Sequence, residues 1–366
     1  MNMQSKHKKR ICIVSRSLSE GGADRVAAMQ SIFLSDLGYD VYIVTILNSI
    51  KYPYKGELFN LGEIKEQNDS ILGRFKRLLL FRKYLKENRI DIVIDHRVRC
   101  KLFSEYIISG FIYPKTTIYI VHNFTIERYF PPVKWLTKLL YGKAKKIVTV
   151  SEGIEKKVKE LYDFNNLETI YNPIDFDYLN SLKVANVDIS VPFIFWYGRF
   201  EEGQKNVALL VDAYSKSELS TQGIKLVLMG EGKDKNRIVE KISDLNLNSL
   251  IEVLPFSENP FAYIDKSIFT VLSSKYEGFP MTVLESLACG VPVVSVEYKN
   301  HEDGVIVNEV NGLMVKNHNP LALSKALNRF IKDEKLYLRC KAHAKQSVEP
   351  FSVQNISKQW KILIEN

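Results

Sequence analysis

Cysteine is scarce and scattered. The four present, Cys12, Cys100, Cys289 and Cys340, form no Cys-x-x-Cys pair. That excludes a zinc ribbon and offers no disulfide framework, so a reducing, cytosolic compartment is expected. Long apolar runs are also missing: none approaches the roughly 18 residues that cross a bilayer. Met1–Arg10 is polar and basic, without the apolar centre of a secretory signal. The Gly-x-Gly-x-x-Gly fingerprint of dinucleotide binding is absent. Acids are thin in one place. Residues 1–150 hold 26 Lys+Arg against 13 Asp+Glu, a charge of +13, whereas residues 151–366 hold 25 against 29, or −4. A basic first half suggests an anionic partner there, and no nucleic-acid motif accompanies the charge.

What is present is a repeated strand–loop–helix pattern. A chain of 366 residues is long enough for two domains, each with its own core. The strand Ile11–Val14 leads through Gly21-Gly22 into a helix with Val26, Met29, Phe33 and Leu37 on one face. Gly38 ends that helix, and the strand Val41–Ile46 follows. This opening predicts an α/β fold with a parallel, doubly wound sheet. Residues 47–69 read as irregular. Asp91–Asp95, Thr116–Val121 and Lys146–Ser151 read as further strands; the first two are followed by His96 and His122, at strand ends where open α/β sheets bind ligands. The second half repeats the pattern. One strand ends in Gly198-Arg199, with Lys205-Asn206 heading the next helix, and another, Lys225–Met229, ends in Gly230. Arg199 and Lys205, a planar fork and a point charge near a helix start, suit two adjacent phosphates.

The most informative stretch is Glu277-Gly-Phe-Pro-Met-Thr-Val-Leu-Glu285, then Ser286-Leu-Ala-Cys-Gly290-Val-Pro-Val-Val-Ser295. It follows the apolar run Ile268–Leu272, so it reads as strand, loop, helix, with Pro280 in the first turn. Two carboxylates flank a helix start whose free amides attract phosphate. This order of acceptor, donors and acceptor matches a ligand with a diphosphate between two polyhydroxyl rings, a nucleotide-sugar.

The whole string resembles the Glu-x7-Glu signature of family 4 retaining glycosyltransferases. The resemblance implies the GT-B fold: two Rossmann-like doubly wound domains facing a central cleft. By this reading residues 1–175 form an acceptor-binding domain onto which a last helix, 351–366, packs back, and residues 176–350 bind the nucleotide-sugar. It implies catalytic roles for Glu277, Arg199, Lys205 and His122, with Arg199 and Lys205 neutralising the donor diphosphate. It places Gly21, Gly22, Gly230, Phe256, Gly278, Phe279, Pro280, Met281, Thr282 and Glu285 around the donor. For Gly21-Gly22 a plain tight turn is the competing reading, and His96 is read as structural. Asp175-Phe-Asp177 matches a metal-binding Asp-x-Asp formally but sits in a linker, so no metal and no cofactor is expected. Tyr298–Glu309 departs from the family pattern, with Gly304 where a glutamate is usual.

The implied function is retaining transfer of a hexosyl or N-acetylhexosaminyl group from a UDP-sugar. The acceptor would be a lipid-linked or glycan precursor of bacterial surface polysaccharide or lipopolysaccharide. Two basic segments add a location. Ser70–Arg89 carries seven Lys or Arg against Glu87 with Leu72, Phe75, Leu78, Leu79 and Leu85. Pro131–Tyr141 combines Trp135 and Tyr141 with lysines in a stretch, 128–146, that has no acid. Such helices fit the inner face of the cytoplasmic membrane, although a solvated polar face explains the first equally well. Alternatives are a nucleotide-sugar epimerase of the same fold, and a membrane-associated protein that binds nucleotide-sugar without turnover.

Overall fold

The computed structural model describes residues 8–19, 21–183, 187–299, 301 and 304–366. Short apolar runs bounded by glycine and polar residues become strands, and those inside each sheet are buried on both faces, as a parallel sheet flanked by helices requires. The first sheet contains β1 (Arg10–Ser15), β2 (Asp40–Thr45), β3 (Glu57–Asn60), β4 (Ile92–Asp95), β5 (Ile118–Val121), β6 (Lys146–Thr149) and β7 (Leu167–Thr169). Its order is β3-β2-β1-β4-β5-β6-β7, and every pairing is parallel. The second contains β8 (Phe193–Tyr197), β9 (Lys225–Met229), β10 (Ile251–Leu254), β11 (Thr270–Leu272), β12 (Val293–Val296) and β13 (Gly312–Val315). Its order is β10-β9-β8-β11-β12-β13, again all parallel. Strand order reverses between β1 and β4 in one sheet and between β8 and β11 in the other. Loops diverge at such switch points, and the crevice beyond the carboxyl ends is where this fold class binds ligands.

The chain divides into two compact units, Met1–Pro173 with Val353–Asn366, and Ile174–Ser352. The helix Val353–Glu365 belongs to the first. Lys9 Nζ donates to the Ile364 carbonyl at 2.7 Å and the Tyr39 hydroxyl to Glu365 at 3.2 Å, with Trp360 buried beneath.

Three local outcomes depart from the sequence reading. The stretch read as irregular contains β3 and the helix Leu61–Gln67, started by Asn60, whose side chain accepts from Gly62 N. A four-residue edge strand is too short for a periodic signal. The basic helix runs Ile71–Glu87, capped by Ser70. Its inner face is Phe81 and Leu85, while Ile71, Leu72, Phe75 and Leu79 stay exposed. Between the two basic segments lies a helix, Leu102–Ile107, that runs into a wide turn, Ile108–Ile112, and leaves Phe103, Tyr106 and Phe111 exposed. No helix among the described residues is long and apolar enough to cross a membrane.

Candidate functional site

In the second unit the expected residues gather beyond β8 and β11. Gly198 and Gly230 follow neighbouring strands, and a Cβ on Gly230 would lie 1.9 Å from the Gly198 carbonyl oxygen; with φ at +150° there, only glycine fits. Lys205 Nζ reaches Glu277 Oε1 at 2.8 Å, and Gln204 Nε2 donates to Glu277 Oε2 at 3.4 Å. Ser273 Oγ bonds the Lys205 carbonyl at 2.8 Å, tying this loop to the end of β11. Glu277 is 6% exposed, and a carboxylate so buried is costly unless a cation is bonded to it, the place that Lys205 fills. Arg199 is exposed, and no carboxylate among the described residues pairs with it.

Glu285 projects from the helix Met281–Ala288 and is buried, with the Tyr197 hydroxyl donating to its carboxylate. Tyr197 ends β8, so the two glutamates of the signature are each held from the β8 side of the switch point. At the helix start the donors are fewer than a run of amides over 280–282 suggests. Pro280 has no N–H, and Met281 N already donates to the Phe279 carbonyl at 2.9 Å; the Thr282 N–H remains. Gly278 is buried, and the Phe279 ring packs edge-on against Phe351 at 5.3 Å. Phe256, beyond β10, is half exposed.

The other helix start is already occupied. Glu202 Oε1 accepts from Val207 N at 2.6 Å and Ala208 N at 3.2 Å, capping the helix Val207–Ser215. A carboxylate there occupies the amides that a phosphate would need, so Lys205 has only its side chain to offer and not the start of the helix it precedes. Asp175 likewise caps its own helix, accepting from Asp177 N and Tyr178 N at 3.1 and 3.0 Å. Of the departing 298–309 loop, residues 300, 302 and 303 lie outside the described residues. Its end is held by Asn311, which bonds Val305 O and Ser347 Oγ.

In the first unit Gly21, at φ +96°, precedes the helix Gly22–Asp36. The first turn carries Asp24, buried and accepting from Ser15 Oγ at 3.2 Å and from Ser17 Oγ. His122 lies just past β5 and bonds the side chain of His96: His96 Nδ1 and His122 Nε2 are 2.9 Å apart, and His96 Nε2 is 2.7 Å from Gln30 Oε1. Burial, aided by the nearby Arg99, lowers the His96 pKa to about 3, and burial holds His122 well below the usual histidine range. Two cations behind them are sealed in. Arg97 is bonded to Asp95 at 2.8 Å and to Glu105 at 3.3 Å. Arg99, fully buried, donates to the carbonyls of Asp95, Arg97 and Ile120 and lies over the rings of Tyr119, Tyr129, Phe130 and Tyr141. Glu202, Tyr197, Gln30, Arg97 and Arg99 escaped the sequence reading, because their partners are set by tertiary contact and not by spacing.

Residues 182–347 match the family model for glycosyl transferases group 1, and residues 20–178 that for glycosyltransferase family 4. The chain is 28% identical, over 93% of its length and 95% of the relative's, to the Campylobacter jejuni N-acetylgalactosamine-N,N'-diacetylbacillosaminyl-diphospho-undecaprenol 4-alpha-N-acetylgalactosaminyltransferase. Its fold is similar to that of a glycosyltransferase from Rickettsia africae (TM-score 0.77, 20% identity, 98% of both chains). It also matches Anabaena HepE, solved in complex with UDP-glucose (TM-score 0.77, 16% identity, 97% and 99% of the two chains). With two parallel Rossmann-like sheets and both family models matched in sequence, the chain belongs to glycosyltransferase family 4 and has the GT-B fold.

Proposed function

We propose that the chain is a retaining glycosyltransferase that needs no metal and moves a hexosyl or N-acetylhexosaminyl group from a UDP-sugar. The acceptor is a lipid-linked or glycan intermediate of bacterial surface polysaccharide or lipopolysaccharide synthesis. The observation that carries this reading is the paired arrangement beyond β8 and β11: Lys205 on Glu277 at 2.8 Å, with Tyr197 on Glu285. Exposed Arg199 and the Thr282 N–H supply further positive potential. As the sugar–phosphate bond breaks, negative charge grows on the leaving diphosphate. Fixed cations and an N–H stabilise that charge with little reorganisation, which is electrostatic preorganisation. Glu277 then has two functions, orienting Lys205 and accepting from sugar hydroxyls through its remaining lone pairs. Both its oxygens are already engaged, by Lys205 and Gln204, which favours a reaction without a glycosyl-enzyme ester. In that course the leaving phosphate oxygen takes the acceptor's proton, and the new C1–O bond forms on the face the diphosphate leaves. Glu285 accepts from the ribose hydroxyls, Gly230 admits the nucleotide backbone-close, and Phe256 offers a face to the base.

The relatives support the substrate classes. The Campylobacter jejuni protein acts on a sugar carried by diphospho-undecaprenol, and Anabaena HepE binds UDP-glucose. On the acceptor side, the first unit exposes Leu72, Phe75 and Leu79 on the basic helix and Trp135 on the helix Lys134–Tyr141. Apolar side chains among lysines and arginines suit an anionic membrane surface, where a lipid-linked acceptor resides. His122 is assigned to a sugar hydroxyl. The test is incubation with single UDP-sugars, with and without a polyprenyl-diphosphate glycan. The expected result is UDP release and a lengthened glycan with the donor's anomeric configuration, unaffected by EDTA. Conversion of the donor to its epimer without acceptor would replace this reading. Binding of the protein to anionic vesicles at low salt, lost at high salt, tests its location.

A further inference from the structure

Three side chains brought together from distant parts of the first unit form one unbranched hydrogen-bonded line. Gln30 comes from the middle of the helix Gly22–Asp36, and His96 and His122 follow β4 and β5, which pair as neighbours. The line runs Gln30 Oε1, His96 Nε2, His96 Nδ1, His122 Nε2, with steps of 2.7 and 2.9 Å. Gln30 is 1% and His96 4% exposed, so water does not compete for these bonds.

We propose that Gln30 and His96 are positioning residues that hold His122 in the tautomer bearing hydrogen on Nε2, so that its Nδ1 is offered as an acceptor to a sugar hydroxyl. A carbonyl oxygen only accepts, so His96 Nε2 must carry the hydrogen. Buried and neutral, that ring has no second one, and its Nδ1 is a lone pair. His122 Nε2 must therefore donate, which leaves His122 Nδ1 bare. With the Gln30 oxygen on His96, any other assignment sets two hydrogens or two lone pairs face to face in a buried site, and an unmade buried bond is costly. Here His122 Nδ1 is buried without a hydrogen-bond partner among the described residues, as is Gln30 Nε2. Turning the Gln30 amide over would reverse the whole line and make His122 Nδ1 a donor. The choice between acceptor and donor at His122 is thus made by an amide two bonds removed from it.

This inference rests on the assignment of His122 to a sugar hydroxyl, and the test separates the two. The full chain, labelled with 15N-histidine, is studied by long-range 1H–15N correlation, with His122 assigned from the signal lost in His122→Asn. In the wild type the expected result is hydrogen on Nε2 and none on Nδ1 for both rings. Hydrogen on His122 Nδ1 in the wild type overturns the proposal. In Gln30→Met, which keeps the length and loses the acceptor, His122 should become a mixture of tautomers. Turnover should then fall roughly tenfold, the effect of one hydrogen bond, with KM for the UDP-sugar little changed. A shifted tautomer with unchanged turnover overturns the positioning role. If the wild-type tautomer is as expected but His122→Asn is fully active, the hydrogen-bond polarity is supported and the sugar assignment falls.

Discussion

Both sheets carry their functional candidates just past the carboxyl ends of strands at or beside the switch point, yet the two sets differ in how they treat charge. In the second unit the groups beyond β8 and β11 form a salt bridge with a further cation beside it: Lys205 on Glu277, with Arg199 exposed. In the first unit the groups beyond β4 and β5 are neutral imidazoles. The cations there are consumed inside the fold, Arg97 by Asp95 and Glu105, and Arg99 by three carbonyls and four aromatic rings. The spare positive charge of that half lies elsewhere, on the helix Ile71–Glu87 and its neighbours. The same scaffold thus leaves a cation exposed beyond one pair of strands and seals its cations away behind the other.

The contrast can be broken most severely at Arg97. Arg97→Leu strands two buried carboxylates and should destabilise the first unit by about 3–5 kcal/mol, seen as a lower urea midpoint. Arg199→Leu, at an exposed cation, should shift it by no more than about 0.5 kcal/mol. Equal shifts would dissolve the distinction. Next, Lys205→Ala should lower kcat about 10²–10³-fold in steady-state assays, as loss of a preorganised charge-stabilising group does; an unchanged kcat would remove Lys205 from the reaction.

A smaller effect comes from acid. An unfolded histidine takes up a proton near pH 6.5, whereas folded His96 resists to about pH 3. The unfolded state therefore binds more protons between these values, so stability is complete above pH 6.5 and declines as pH falls. Between pH 6.5 and 5 the loss should be about 2 kcal/mol for His96, with His122 acting in the same direction. Urea midpoints for wild type and His96→Asn at pH 7 and 5 measure it. A pH slope as steep in the variant as in the wild type would mean that His96 is not held neutral.

How much of this was legible in sequence follows from contact range. Glu277, Glu285 and the intervening turn belong to a single strand–loop–helix, so their spacing already carried the site; likewise Gly198-Arg199 directly follows its strand. Contacts made across tens of residues had no such signal: Tyr197 with Glu285, and Gln30 with His96. Glu202 was hidden differently. Its cap on Val207 replaces the phosphate that a free helix start beside Lys205 invited. The basic helix kept its apolar periodicity in sequence, yet Leu72, Phe75 and Leu79 stay exposed while Phe81 and Leu85 are buried, because periodicity states which residues share a face and not what covers it. His96, read as structural, proves to be bonded to His122.

The central claim is that the second unit's charged residues hold a nucleotide diphosphate. Titration calorimetry of UDP into the intact chain and into Glu285→Ala addresses it most directly. The account predicts one site per chain, with affinity about ten- to a hundredfold weaker in the variant, as loss of charged hydrogen bonds to the ribose entails. Identical affinities, or no heat of binding in the wild type, would contradict it.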